Sequence, residues 1–195
     1  GLGNRLISVV TLPAMGLSQA MDTAVGQNLG ADEPERATRA MKLGAGLVVA
    51  VLSVVAVVVA LVPEPIVALF LPATTAGAVE TIDHAATYLR IASVAFVFFG
   101  VFQVAMGTFR GAGNTTTALA LSLLALWVVR LPATYLLAFP LGWGPTGVWT
   151  AVALGDIVGA IAAVAWLSRG TWKSAVVKTE PSASPTGSVP PPGDD

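Results

Sequence analysis

Between Lys42 and Glu64 the chain runs for 21 residues, Leu43 to Pro63, without one charged side chain. Roughly 20 apolar residues at 1.5 Å rise cross the hydrocarbon core of a bilayer. A segment in lipid must satisfy its own backbone polar groups, and this uncharged, Val- and Ala-rich run reads as a lipid-facing or packed spanning helix. The rest of the chain agrees. Hydrophobic residues make up 55% and charged residues 11%, with a mean hydropathy of +0.78, against roughly a quarter charged in ordinary soluble domains. The expected class is an all-α polytopic membrane protein. Ten basic residues against eleven acidic ones leave no basic face for nucleic acid. Cysteine is absent and His84 is the only histidine, which argues against a disulfide framework, a thiol nucleophile or a Cys/His metal site. No set of acid-base or nucleophilic groups assembles, so neither an enzyme nor a bound cofactor is expected.

Four further spans follow from the same reasoning. The sequence predicts helices over about 5–28, 38–62, 79–109, 115–139 and 147–168, five spans in a transmembrane unit of residues 1–172. From Val62 to Glu80, Pro63, Pro65 and Pro72 break the pattern and predict a loop with a short interfacial piece. In the charged turn Val25 to Arg39, Gly26 and Gly30 are expected to end the first helix. Asp32 and Glu33 are expected to cap the second, which Pro34 pre-sets. Arg110-Gly-Ala-Gly-Asn114 predicts a tight turn, because glycine and asparagine tolerate positive φ. Arg130 and Pro132 interrupt the fourth helix. Trp143 and Trp149 are expected in an interfacial aromatic belt. Residues 173–195, rich in Pro, Ser and Gly, bury almost nothing and predict a disordered tail.

Arg36, Arg39 and Lys42 follow the first span, Arg110 the third, and Arg169, Lys173 and Lys178 the fifth. These are alternate connections and therefore one side of the membrane, cytoplasmic by the positive-inside rule. The tail is then cytoplasmic and the first residue outside. With no initiating Met and no signal-peptide pattern, the expectation is a piece of a longer, multi-pass plasma-membrane protein.

Several ordered motifs carry a resemblance. Gly26-Gln-Asn-Leu-Gly-Ala31 is followed by Pro34-Glu-Arg-Ala37, then Phe109-Arg-Gly-Ala-Gly-Asn-Thr115, Arg130-Leu-Pro132 and Gly144-Pro-Thr-Gly-Val-Trp149. In this order and spacing, over about Leu6 to Trp172, the chain resembles the C-terminal lobe of multidrug and toxic compound extrusion (MATE) transporters. The resemblance implies a twelve-helix exporter of two six-helix lobes around a central cavity, driven by a proton or sodium gradient. Only the last five helices would be present, without the first helix of this lobe, and the N-terminal lobe would be a partner. Some sodium-coupled members carry an acid on the helix matching the third span; this chain has none between Ile91 and Phe109.

On the first span Ser8, Thr11, Gln19, Asp22 and Gly26 recur at helical spacing, and a polar face in lipid turns toward the bundle or a wet cavity. Gln19 and Asp22, with Gln103 in the third span, are therefore candidate substrate-binding residues; the alternatives are an interfacial acid at Asp22 and helix packing at Gln103. Arg130 and Asp156 lie thirteen residues either side of Trp143, at equal depth on adjacent antiparallel helices. A lone charge there costs about 3 kcal/mol or more, so an ion pair is expected. Phe96, Phe98, Phe99, Phe102 and Met106 read as core or lipid-facing, or as an organic-cation cavity. Gly100, Gly107, Gly111 and Gly113 read as close-approach or turn positions, and Gly111-x-Gly113 lacks the strand of a phosphate loop. Gln27, Arg36, Arg39 and Arg110 are candidate cytoplasmic gate residues or topology determinants.

The expected function is a secondary antiporter that exports organic, cationic or amphipathic compounds in exchange for protons or sodium, by alternating access. Its partners would be the bilayer, the N-terminal lobe and small organic substrates. Two alternatives stay open: a lipid-linked oligosaccharide flippase of related fold, against which the sparse intramembrane basic residues count, and a truncated, non-transporting membrane fragment.

Overall fold

The computed structural model describes residues 2–70 and 78–174. Among the described residues there is no strand. Four long rods are built from α1 (Leu2–Gly30), α2 (Pro34–Leu61), α4 (Ala78–Gly111) and α7 (Gly144–Ser168). A short α3 (Pro63–Phe70) follows α2. The remaining rod is made of α5 (Thr115–Leu123), a π-helical segment Leu124–Arg130 and α6 (Leu131–Ala138). The stretches Pro34–Leu61, Ile82–Gly111, Thr115–Ala138 and Gly144–Ser168 are long and apolar enough to cross a membrane. The 29 residues of α1 are long enough by rise, but Ser18, Gln19, Asp22, Thr23, Gln27 and Asn28 make it more polar. The segment expected as a loop contains α3, and 71–77 lie outside the described residues. So does the expected tail beyond 174. Its first residues, Lys173 and Ser174, belong to a 3-10 turn, Thr171–Ser174.

The turns are built from the residues that suit them, with one exchange of roles. At the end of α1 the residue with positive φ is Asp32 (φ 59), and the Glu33 N–H donates to the Asn28 carbonyl at 2.8 Å, a helix-terminating reverse turn. Glu33 is the N-cap of α2 but makes no side-chain cap bond, and Pro34 opens the helix. Gly26 does not end α1; it lies inside the helix and faces Gly111, whose carbonyl oxygen would be 3.2 Å from a Cβ there. Between α4 and α5, Gly113 takes φ 73 and the Asn114 side chain accepts from the Thr117 N–H at 3.3 Å, capping α5.

The π-helical segment has a local cause. Pro132, in the first turn of α6, has no N–H to give, and its ring would press on the carbonyl four residues back. In the wider turn before it the Leu131 N–H reaches the Leu126 carbonyl five residues back, which absorbs the misfit.

Helix α4 is the spine, packed against α1, α2 and α7. Ser18 bonds to Gln103 and Asp22 to Arg110, so α1 and α4 run parallel. Tyr88 meets Trp149 and Phe102 lies by Gly159, so α7 runs parallel to them too. The three helices therefore end together, beside the start of α2, with Arg36, Arg39, Lys42, Arg110, Arg169 and Lys173 at that end. Toward the other end Arg90 of α4 pairs with Glu64 of α3.

Glycines set how closely these helices meet. A Cβ on Gly107 would overlap the backbone carbonyl of Ser18, and one on Gly111 that of Asp22. Gly107 and Gly111 are four residues apart on one face, the small-xxx-small spacing that lets helix backbones touch. Gly100 leaves the space occupied by Val48 and Leu52 of α2. At the basic end, Val25, Leu29, Ala37, Phe109 and Trp172 form one buried cluster joining α1, α2, α4 and the turn after α7. Trp172 is fully buried, and its Nε1–H donates to the Leu167 carbonyl at 3.1 Å.

Candidate functional site

Toward the end opposite the basic residues, α4 and α7 border a half-open cavity of about 740 Å³, which Thr11 of α1 also lines. On α4, Tyr88, Ala92, Phe96 and Phe99 recur at helical spacing and share the cavity face. The small Ala92 and Ala95 leave the volume that the larger rings border. On α7, Trp149, Val152 and Asp156 do the same at spacings of three and four. Trp149 borders the cavity as well, its ring 5.1 Å from that of Tyr88 and tilted by 58°. Trp143, at the turn before α7, is half exposed.

Arg130 and Asp156 bring the two charges of the cavity. A Cβ on Gly155 would lie 3.1 Å from the Arg130 Cβ, so the arginine is level with the turn carrying Asp156. Among the described residues, however, the ion pairs are Arg90–Glu64 and Arg110–Asp22. The expected Arg130–Asp156 bridge is not closed. The Arg130 stem lies against the bare backbone of Gly155, and both side chains line the same cavity. Tyr88 lies within the field of both.

The other candidates go elsewhere. Gln19 is exposed on α1 and does not line the cavity. Asp22 is 43% exposed and pairs with Arg110, its Oδ2 3.5 Å from the Arg110 Nε. Gln103 enters through its backbone: its carbonyl accepts from the Ser18 hydroxyl at 2.5 Å. That same hydroxyl accepts from Arg110 Nη2 at 2.9 Å. Gln27, Arg36 and Arg39 are exposed. Asp22, Gln103 and Arg110 therefore form an α1–α4 contact centred on Ser18, a residue that the sequence alone does not single out. It could have been found from Ser18, Asp22 and Gly26, which are spaced by four. Of the aromatic set, Phe96 and Phe99 line the cavity while Phe102 packs on Gly159 and Met106 is buried.

A half-open cavity of aromatic rings and small apolar side chains with one guanidinium, one carboxylate and the imidazole of His84 suits an amphipathic organic molecule. Ring faces attract organic cations, and most of the binding surface is apolar with few polar groups, as in small-molecule sites generally.

Comparison with known proteins agrees with this architecture. The MatE family model matches residues 1–136. A probable multidrug resistance protein NorM of Synechococcus sp. is 35% identical over 152 residues, 78% of this chain and 33% of that protein. A probable multidrug resistance protein NorM of Pseudomonas aeruginosa is 33% identical over 180 residues, 92% of this chain and 36% of that protein. The chain thus spans about a third of the length of these relatives. Among solved structures, the MATE transporter ClbM in complex with Rb+ superposes with a TM-score of 0.76 at 25% identity, over 90% of this chain and 41% of that one. A MOP superfamily transporter from Pyrococcus furiosus gives a TM-score of 0.78 at 20% identity, over 89% of this chain and 38% of that one, and shares the fold. The chain belongs to the MatE family of multi-pass membrane transporters.

Proposed function

We propose that this chain is part of the C-terminal lobe of a secondary antiporter that exports organic, cationic or amphipathic compounds across the plasma membrane in exchange for protons or sodium. The observation that carries the reading is the cavity of about 740 Å³ bordered by aromatic rings and by Arg130 and Asp156. The relatives described as multidrug resistance proteins support it. Helices α1, α2 and α7, held on the α4 spine, would move as one unit against an N-terminal lobe and expose the cavity to each side in turn. The Val25 to Arg39 turn and the end of α7 would face the cytoplasm, where their basic residues collect. A single arginine in the cavity is poor provision for a polyanionic lipid-linked sugar, which disfavours a flippase.

The test is export of a fluorescent organic cation from cells expressing the full-length protein, with the proton and sodium gradients collapsed separately. Export should stop with one of the two collapses. Export that continues with both gradients gone overturns the antiporter reading.

A further inference from the structure

At the basic end, α2 and α7 flank α4 and leave a second groove, of about 400 Å³. Val101 and Val104 of α4 form its floor, Met41 of α2 and Leu167 of α7 its sides, and Lys42 and Lys173 both border it. The two lysines are exposed. Neither pairs with a carboxylate among the described residues, where the ion pairs are Arg90–Glu64 and Arg110–Asp22.

The position of Lys173 is built by the fold. Gly170 takes φ 71 and turns the chain after α7, so that Trp172 folds inward and is anchored by its bond to the Leu167 carbonyl. Lys173 is left with its Nζ 5.9 Å from the Trp172 ring centre. Lys42 stands on the same face of α2 as Thr38, Met41 and Ala45. Val164 of α7, which also borders the groove, is about half exposed, so an apolar wall of the groove is open on this side of the bundle.

We infer that this groove is a binding site for an anionic phospholipid of the leaflet on the basic side, with an acyl chain along the valine floor and the headgroup phosphate between Lys42 and Lys173. The charge complementarity is specific: two ammonium groups without a carboxylate partner among the described residues border the basic end of an apolar channel that offers a free inorganic anion nothing. Basic pockets between membrane helices on this side are suited to such headgroups, and each lysine near the surface contributes roughly fivefold to anionic-lipid binding.

Native mass spectrometry of the delipidated full-length protein tests this with phosphatidylglycerol and phosphatidylcholine of identical acyl chains. Phosphatidylglycerol should be retained about 25-fold better, the product of two lysines, and K42Q/K173Q should bring the two lipids to parity. Both substitutions are at exposed positions and leave the buried cluster intact. A45W, which narrows the groove and keeps both charges, should lower retention of both lipids; R39Q, outside the groove, should leave the preference unchanged. Equal retention of the two lipids by the parent protein overturns the site, as does an unchanged preference in K42Q/K173Q, unchanged retention in A45W, or an equal loss in R39Q. Displacement of the bound lipid by soluble glycerol phosphate at equal concentration would show a free-anion site instead and also overturns it. The readout is lipid retention, so failure of the transport reading leaves it standing.

Discussion

Asp22 and Arg110 face each other across the α1–α4 contact at 3.5 Å, and the same guanidinium donates to Ser18, whose hydroxyl donates to the Gln103 carbonyl. Residues more than eighty positions apart on two helices are thus tied by one acid, one hydroxyl and one backbone oxygen. Both charged side chains are about two-fifths exposed, and half-solvated pairs are worth little. A double-mutant cycle with D22N and R110Q should give a coupling of roughly 0.5–1 kcal/mol in unfolding of the full-length protein. A coupling above about 3 kcal/mol would mean the pair is buried in the assembled transporter.

The glycine contact beside it should be far less tolerant. Gly107→Ala pushes a methyl group into the Ser18 carbonyl and should cost about 1–3 kcal/mol by overpacking. Gly16, with nothing within 4 Å of its Cβ position, supplies the control: Gly16→Ala should be neutral or stabilising by up to about 1 kcal/mol. Thermal unfolding in detergent orders the two variants; equal melting temperatures would remove the contact from the account.

Trp172 ties the turn after α7 to the cluster at the ends of α1, α2 and α4. Trp172→Ala empties a fully buried site and removes one of the bonds to the Leu167 carbonyl, which keeps the Gly170 N–H, so a loss of roughly 3–5 kcal/mol is expected. Trp172→Phe retains much of the ring and should lose about half of that. Chemical denaturation with both variants reads the difference.

Arg130 and Asp156 should each matter to transport without acting through a mutual bridge. R130Q and D156N are each expected to reduce export of an organic cation at least tenfold at unchanged membrane abundance, by the loss of a charge in the cavity. The charge exchange R130D/D156R should not restore export. Restoration by the exchange would show that the two charges meet during the cycle.

The spans were legible because their signal is local: the run from Leu43 to Pro63 needs no knowledge of its neighbours, and Gly113 and Asn114 encode their turn within five residues. Equal chain distance from Trp143 foretold that Arg130 and Asp156 would lie level. What it could not foretell was whether the two side chains would close a bridge, which depends on rotation about the helix axes and on side-chain rotamers. Gly26 was misread as a helix end because Gly111, its reason for being small, is 85 positions away. The contact of Trp149 with Tyr88 was hidden in the same way, because Tyr88 belongs to another helix. Ser18 escaped notice because a serine in an apolar helix usually satisfies itself on its own backbone, and nothing local says that this one reaches α4.

The α1–α4 contact also has a meaning for sequence drift. Where a carbonyl oxygen occupies the place of a side chain, the set of residues that fit contains glycine alone, so positions 107 and 111 have no neutral neighbours to wander through. A relative with a larger residue at either position must hold its first and third long helices further apart than this one does. Two letters of a homologue's sequence then suffice to rank its helix separation against that of this chain.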